Sequence, residues 1–335
     1  MKKGIKVILI LAVVFLLMGI ALCVASVAMG ANPLKLLSDG TYTISVSDPI
    51  GHILDPDLYD ENREGSFGQR PGNFGEAEST GDTYSVSGDI KNLEIDWVSG
   101  NVKIIRGEGE NITFSESDSG GIDADDKLYY EVNGDTLKIE CCRSGKVQIG
   151  ININSGCGGK ELVVNVPYAL GDLTVDTTSA DVDIDGLVIH GKMYVSTTSG
   201  VCSAVNMDSS DVVLDSTSGD LCFVGTCSDF SAESTSGRVV FTGFARELEA
   251  DTTSGEVRFI LNATPAELSA ETVSGEVSMY LPPDASFELE FDSVSGSFNC
   301  EYPVSMRDGA YYAGTGGAEI DVDTTSGDLK VYQYK

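Results

Sequence analysis

The chain has 335 residues, 21 basic and 52 acidic side chains, a formal charge of −31 and a hydrophobic fraction of 41%. That charge excludes a nucleic-acid binder, which needs a basic footprint to meet phosphates. The apolar fraction excludes an acidic disordered tail.

Residues 1–6 form a basic start carrying Lys2, Lys3 and Lys6. Residues 7–29 follow with 23 uncharged positions, and about 20 apolar residues suffice for a transmembrane helix. The lysines before this span keep the N-terminus cytoplasmic and place the rest outside the cell membrane. Ala28-Met29-Gly30 before Ala31 would also pass as a signal-peptide cleavage site. The length of the apolar run favours an uncleaved single-pass anchor. Cys23 reads as a small apolar residue of the span, because the bulky Leu22 precedes it.

Residues 30–85 read as a stalk or linker. They are acidic and Gly-rich and show no sustained period of two or 3.6. His52 lies here, far from any pattern that would make it catalytic. From residue 36 onward the chain holds 17 basic and 52 acidic groups, a balance of −35.

The segment 86–335 carries a repeat. A Ser-centred corner recurs nine times, as Ser99, Ser179, Ser199, Ser218, Ser236, Ser254, Ser274, Ser295 and Ser326. Gly follows each of them except Ser179, where Ala180 takes the place. From Ser179 to Ser295 the spacings are 20, 19, 18, 18, 20 and 21 residues, a solenoid-like period. Counting from each Ser, positions −6, −4, +3 and +5 are apolar in all nine copies. In one copy these are Leu248, Ala250, Val257 and Phe259. Columns two apart are strand periodicity, so each copy is a strand, a corner and a second strand. Position −2 is Ser or Thr in eight copies and Trp97 in the first. The central Ser has inward parity and the Gly suits a corner through positive φ.

One rung buries about four apolar side chains at roughly 1.5–3 kcal/mol each. That does not offset ordering some 18 residues at about 1–2 kcal/mol apiece. The rungs must therefore stack. The sequence predicts an all-β protein, a parallel β-solenoid of 18–21-residue rungs. An antiparallel meander folded into a sandwich is the competing architecture. Residues 105–170 form an early cap, with a hairpin turning at Asn133-Gly134 and strands at Lys146–Asn152 and Glu161–Val166. Gly309–Ala318 is a Tyr- and Gly-rich insertion before the last copy.

These features together resemble the bacterial putative-adhesin family, a β-strand-repeat family also called domain of unknown function 4097. They are the basic start, the single apolar span, the Val-Asn-Gly-Asp-Thr-Leu hairpin and the recurring Asp-Thr-Thr-Ser-Gly-Asp/Glu-Val units. The resemblance covers about residues 85–335. It implies a solenoid-like domain at the cell surface, often attached to the membrane and sometimes linked to envelope stress. It supplies no catalytic residues.

Chemistry is sparse in this pattern. A row of nucleophilic serines fails because His190 is the only His among the repeats. Position −3 is acidic in eight of nine copies and points outward. Asp215, Glu233, Asp251, Glu271 and Asp292 of that row are candidate ligands for weak Ca²⁺ sites. A solvated acidic face that blocks aggregation explains the same row.

Seven Cys remain outside the span. Cys141 or Cys142 paired with Cys157 is a conceivable bridge, against free or partly buried thiols. Cys222 and Cys227 lack a second pair for zinc. Gly156–Lys160 is no phosphate loop, because Glu161 fills the Ser/Thr slot.

The sequence thus predicts a non-catalytic, membrane-anchored surface protein whose partner is an envelope polymer or protein. A carbohydrate-active β-helix enzyme, a Ca²⁺-dependent lyase or acid-pair hydrolase, is the alternative. The near-uniform rungs weigh against it.

Overall fold

The computed structural model describes residues 83–87, 89–118, 122, 127–141 and 159–334. The expected membrane helix at 7–29, the linker up to residue 82, the strand at Lys146–Asn152, Cys142 and Cys157 lie outside these residues. The described part is all-β, with no helix. In chain order the strands are β1 Thr83–Val86, β2 Asn92–Arg106, β3 Ile112–Ser117, β4 Tyr129–Asn133, β5 Thr136–Glu140, β6 Lys160–Val166 and β7 Leu173–Asp185. There follow β8 Val188–Thr197, β9 Cys202–Ser216, β10 Leu221–Ser234, β11 Val239–Thr252, β12 Val257–Leu261, β13 Glu267–Thr272 and β14 Val277–Leu281. The last six are β15 Phe287–Ser293, β16 Phe298–Cys300, β17 Val304–Arg307, β18 Ala310–Ala313, β19 Ala318–Thr324 and β20 Leu329–Gln333. β1 thus begins within the last residues of the expected linker.

The copies pair in parallel, residue for equivalent residue. Leu221 lies beside Val239, Val239 beside Val257, and Val257 beside Val277. This register rules out the antiparallel meander. Before the corner the strands stack in the order β5, β2, β7, β8, β9, β10, β11, β13, β19, β15. After the corner the order is β6, β2, β7, β9, β10, β11, β12, β14, β20, β16. The last copy, β19 and β20, therefore inserts between the seventh and eighth. Sequence neighbours are not spatial neighbours at that end.

The four apolar columns form the interior. All are buried in every copy except the eighth, where Phe291, Phe298 and Cys300 are half-buried. Volumes compensate within a rung. Phe223 shares its strand with Ala232, and Phe241 shares its strand with Ala250. The two Phe rings stack at 5.5 Å, as close packing in a narrow interior demands.

The corners depart from the sequence expectation. The central serines are exposed in every copy but the first, while most of the Gly after them and most of the −2 hydroxyls are buried. Only Gly100 among the corner glycines has positive φ, at 100°. The others are required by close approach. A Cβ on Gly219 would lie 1.8 Å from the Gly200 carbonyl oxygen, and one on Gly255 would lie 1.9 Å from that of Gly237. The corner N–H groups are bonded within the motif. Gly200 donates to Thr197 Oγ1 at 2.9 Å, Gly237 to Ser234 Oγ at 2.9 Å and Gly275 to Thr272 Oγ1 at 2.8 Å. Ala180 breaks the column where its neighbour is Gly100, the corner that takes a different backbone path.

The N-terminal end is closed by antiparallel strands. β4 covers β5, and β3 with β1 covers β6. The hairpin turns at Asn133-Gly134 as expected, with Gly134 at φ 66°. Rings of Tyr84, Phe114 and Tyr130 pack over this end at 5.0–5.3 Å. Beneath them Lys160 is fully buried, its Nζ 2.7 Å from Glu116 Oε2 and 2.6 Å from the Cys141 carbonyl oxygen. The backbone N–H of Leu128 donates to Glu116 Oε1 at 2.7 Å. Trp97 replaces the corner hydroxyl here, donating its indole N–H to the Lys160 carbonyl at 3.3 Å.

Two outcomes follow from this packing. Gly255→Ala lowers stability by about 3 kcal/mol through overpacking against backbone, whereas Ser254→Ala costs about 1 kcal/mol or less; paired thermal melts check the contrast. Glu116→Gln costs about 3–5 kcal/mol by stranding a buried ammonium, and Glu116→Leu with Lys160→Met recovers much of it. Denaturant titration of the three proteins reads that order.

Candidate functional site

The corner serines are the first candidates, and the fold gives them a structural role. Seven of the nine donate Oγ to a backbone carbonyl of the adjacent rung, while Ser99 Oγ accepts the Gly159 N–H at 3.0 Å. Ser218 reaches Thr198 at 3.3 Å, Ser236 reaches Thr217 at 3.4 Å and Ser254 reaches Thr235 at 3.4 Å. Ser326 of the inserted copy bonds Val273 of the seventh at 3.3 Å. Exposure at the corner follows because the turn reverses the strand parity on which the sequence expectation relied.

The acidic row is a real column on the outer side of the pre-corner sheet. Asp215, Glu233, Asp251 and Glu271 are successive cross-strand neighbours. Asp292 does not adjoin Glu271, because Asp323 of the inserted copy stands between them. Two further acidic columns flank the row near the C-terminal end. Glu247, Glu267, Glu319 and Glu288 are in register, as are Asp321 and Glu290. Sequence reasoning missed this grid because β19 comes from the far end of the chain. Among the described residues no group of three or more His, Cys, Asp or Glu side chains converges as a metal centre would need.

Crowding shows in the proton affinities. Burial first, then Glu271, Glu249 and Glu233, push the Asp251 carboxyl up to about 7. One of its oxygens is buried without a hydrogen-bond partner. Burial followed by Asp323, Asp321 and Glu249 also raises Glu271. Asp328 goes the other way, lowered chiefly by the Ser297 N–H and hydroxyl.

The outer side of the post-corner sheet is different in character. Val224, Thr242, Ile260, Tyr280 and Tyr332 form one ladder. Tyr280 and Tyr332 stack at 4.8 Å, although 52 residues separate them. Charges here are paired, in two of three cases across rungs. Arg238 bonds Asp220 at 2.8 Å, Arg258 bonds Glu256 at 2.6 Å and Lys330 bonds Glu276 at 2.7 Å.

Among the described residues no disulfide joins the cysteines. Burial pushes Cys222 up to about 11 and Cys227 up to about 12, the reverse of what a thiolate metal ligand needs.

The pH response has a definite sign. Asp251 holds its proton more tightly folded than unfolded, so its charge destabilises the fold at neutral pH and that penalty fades as pH falls from about 7 towards its ordinary value. After discounting for partial exposure, the gain is on the order of 1 kcal/mol, or about 2–4 °C in a domain of this size. Melting at about pH 5 and about pH 8 is expected to show it, and Asp251→Asn to flatten the difference.

The family model described as Toastrack DUF4097 matches residues 90–332, and the chain belongs to that family. The chain is similar to a putative adhesin from Bacteroides fragilis, at 14% identity and a TM-score of 0.47, covering 75% of this chain and 96% of that one. A putative lipid binding protein from Parabacteroides distasonis aligns at 16% identity and 0.45, covering 76% and 97%. A putative adhesin from Parabacteroides merdae aligns at 10% identity and 0.38, with the same coverages. No curated protein matches the chain significantly.

Proposed function

We propose that this member of the Toastrack family is a membrane-anchored, surface-exposed, adhesin-like binding protein without catalytic activity. A single helix at residues 7–29 holds it in the cell membrane, and the β-solenoid stands outside as a stiff support. Its faces meet an envelope polymer or protein, in a structural, binding or envelope-stress role. The observation that supports this reading is the use of the hydroxyl columns. The serines that look like repeated nucleophiles bond carbonyls of the next rung, and the −2 hydroxyls accept corner N–H groups. What varies between rungs is the outer surface, as expected of a binding support.

One observation favours the alternative of an acid-pair hydrolase. Asp251, with its carboxyl raised to about 7, lies beside Glu271, and a general acid working near neutral pH needs such a value. The same observation bears on Ca²⁺, since a protonated Asp251 is a poor ligand.

The topology is tested with a C-terminal epitope tag on intact cells. Antibody access without permeabilisation is the expected result, and a tag reached only after lysis sinks the surface reading. The chemistry is tested by incubating the chain with acidic polysaccharides, with and without Ca²⁺. No turnover is expected. Turnover that Asp251→Asn abolishes would establish the hydrolase instead.

A further inference from the structure

The first rungs of the stack are linked differently from those in its middle. Each of β9, β10 and β11 runs unbroken from one corner to the next. At β2 and β6 the chain leaves the strand instead. Connection 107–111 joins β2 to β3, and connection 167–172 joins β6 to β7. Along the stack the order is β3, β6, β2, β7. The first connection therefore steps past β6 and the second steps past β2, in opposite directions. They start in contact, with the Gly107 N–H donating to the Val166 carbonyl at 3.0 Å. Gly109, at φ 104°, then carries the first into open space, where an added Cβ would meet nothing within 4 Å. The chain entering β2 is pinned alongside, since the Lys91 N–H donates to the Asp135 carbonyl and the Gly171 N–H to the Lys91 carbonyl, both at 2.7 Å.

This splaying leaves a pocket of about 520 Å³, within the roughly 300–1,000 Å³ of small-molecule sites. Asp89 and Lys91 before β2, Gly109 and Glu110 before β3, and Tyr168 and Ala169 before β7 line it. Three separate links supply these residues, so the pocket belongs to this junction and is not repeated along the rungs.

The Tyr168 hydroxyl is buried and has no hydrogen-bond partner among the described residues. A buried phenol ordinarily finds one. Burial, then Asp89, holds its proton more tightly than usual, so it remains a donor. Asp89 and Glu110 are exposed and, as carboxylates, only accept. The Lys91 ammonium lies 3.3 Å from Asp135 Oδ2, so Asp89 and Glu110 set the charge of the pocket.

A matching ligand donates to carboxylates and accepts from a phenol. An ammonium or guanidinium only donates and leaves the phenol O–H unmatched. An anion only accepts and is repelled by both carboxylates. A sugar hydroxyl does both, and one small ring carries several of them. Ala169 and the aromatic body of Tyr168 give apolar surface for the C–H groups of such a ring.

We propose that this pocket binds an uncharged sugar residue of an envelope glycan. Asp89 and Glu110 accept sugar hydroxyls, and Tyr168 donates its O–H to another. This rests on the binding role proposed above and deepens it, by naming the ligand class and placing its site at the crossing of two connections.

The test uses the full chain in a detergent without a sugar headgroup. Saturation-transfer NMR is run with cellobiose, maltose and N-acetylglucosamine, against galacturonate as the anion and spermine as the cation. At least one uncharged sugar is expected to saturate below about 10 mM. Tyr168→Phe, which deletes only the hydroxyl, is expected to weaken it about tenfold. The same change leaves the melting temperature of the unliganded chain equal or higher, because no partner is lost. Asp89→Asn is expected to weaken binding about fivefold or more. No saturation by any uncharged sugar overturns the proposal, as does tighter binding of galacturonate or spermine. A lower melting temperature for Tyr168→Phe overturns it too, since the hydroxyl would then be satisfied inside the fold. Sugar binding unchanged in both variants removes this pocket while leaving the binding role intact, and none of these titrations alters the epitope result. Failure here is therefore distinguishable from failure of the surface reading.

Discussion

The contact on which the rest depends is the approach of one corner glycine to the carbonyl of the glycine one rung below. Without a Cβ at Gly219, Gly237, Gly255 and Gly275, the rungs close to backbone hydrogen-bonding distance at the corner itself. That distance lets Ser Oγ reach the neighbouring carbonyl and holds the two strands of each rung in common register. Because the corner is tight, the interior is narrow, and a Phe in one half of a rung is matched by an Ala in the other. The regular surface and the sparse chemistry both descend from this constraint. A hydroxyl bound to the rung beside it has a structural role there.

Charge is the opposing influence. The same register that aligns apolar columns inside aligns carboxylates outside, and a parallel ladder offers no way to stagger them. The two outer faces answer this differently. After the corner, Arg238, Arg258 and Lys330 each bond an acid, two of them across rungs. Before the corner the acids accumulate, and burial with the neighbouring carboxylates pushes the Asp251 carboxyl up to about 7. The molecule is thus electrically two-sided, with the anionic side extending to the end where the interior is least covered.

Much of this was legible in the sequence. The period of about twenty and the four apolar columns give the rungs, their strand character and the interior residues. The hairpin at Asn133-Gly134 was readable from its turn residues alone. Inward parity for the central Ser failed because parity cannot be carried through a corner. The buried glycine column was visible as a motif, yet its cause is contact between rungs rather than φ, and contact is not a local property. The long step from Ser295 to Ser326 marks an insertion but does not reveal that β19 enters between β13 and β15, since every copy presents equivalent columns and any pair of copies would stack. For that reason the stacking of Tyr280 on Tyr332 and the place of Asp323 in the acidic row were hidden. The Lys160–Glu116 pair was hidden likewise, as two ordinary charges 44 residues apart.

The inserted copy makes the joining of the seventh and eighth copies depend on β19 and β20, which follow both in sequence. Ribosomal synthesis delivers the seventh and eighth copies well before β19 and β20, and until those arrive neither has its native neighbour at that end. Copies one to six can zip together as they emerge, but the terminal stretch must keep a slot vacant, or open one, for a strand that comes last. A product that stops short of Ala318 keeps most of its rungs and still lacks the piece that joins the final two.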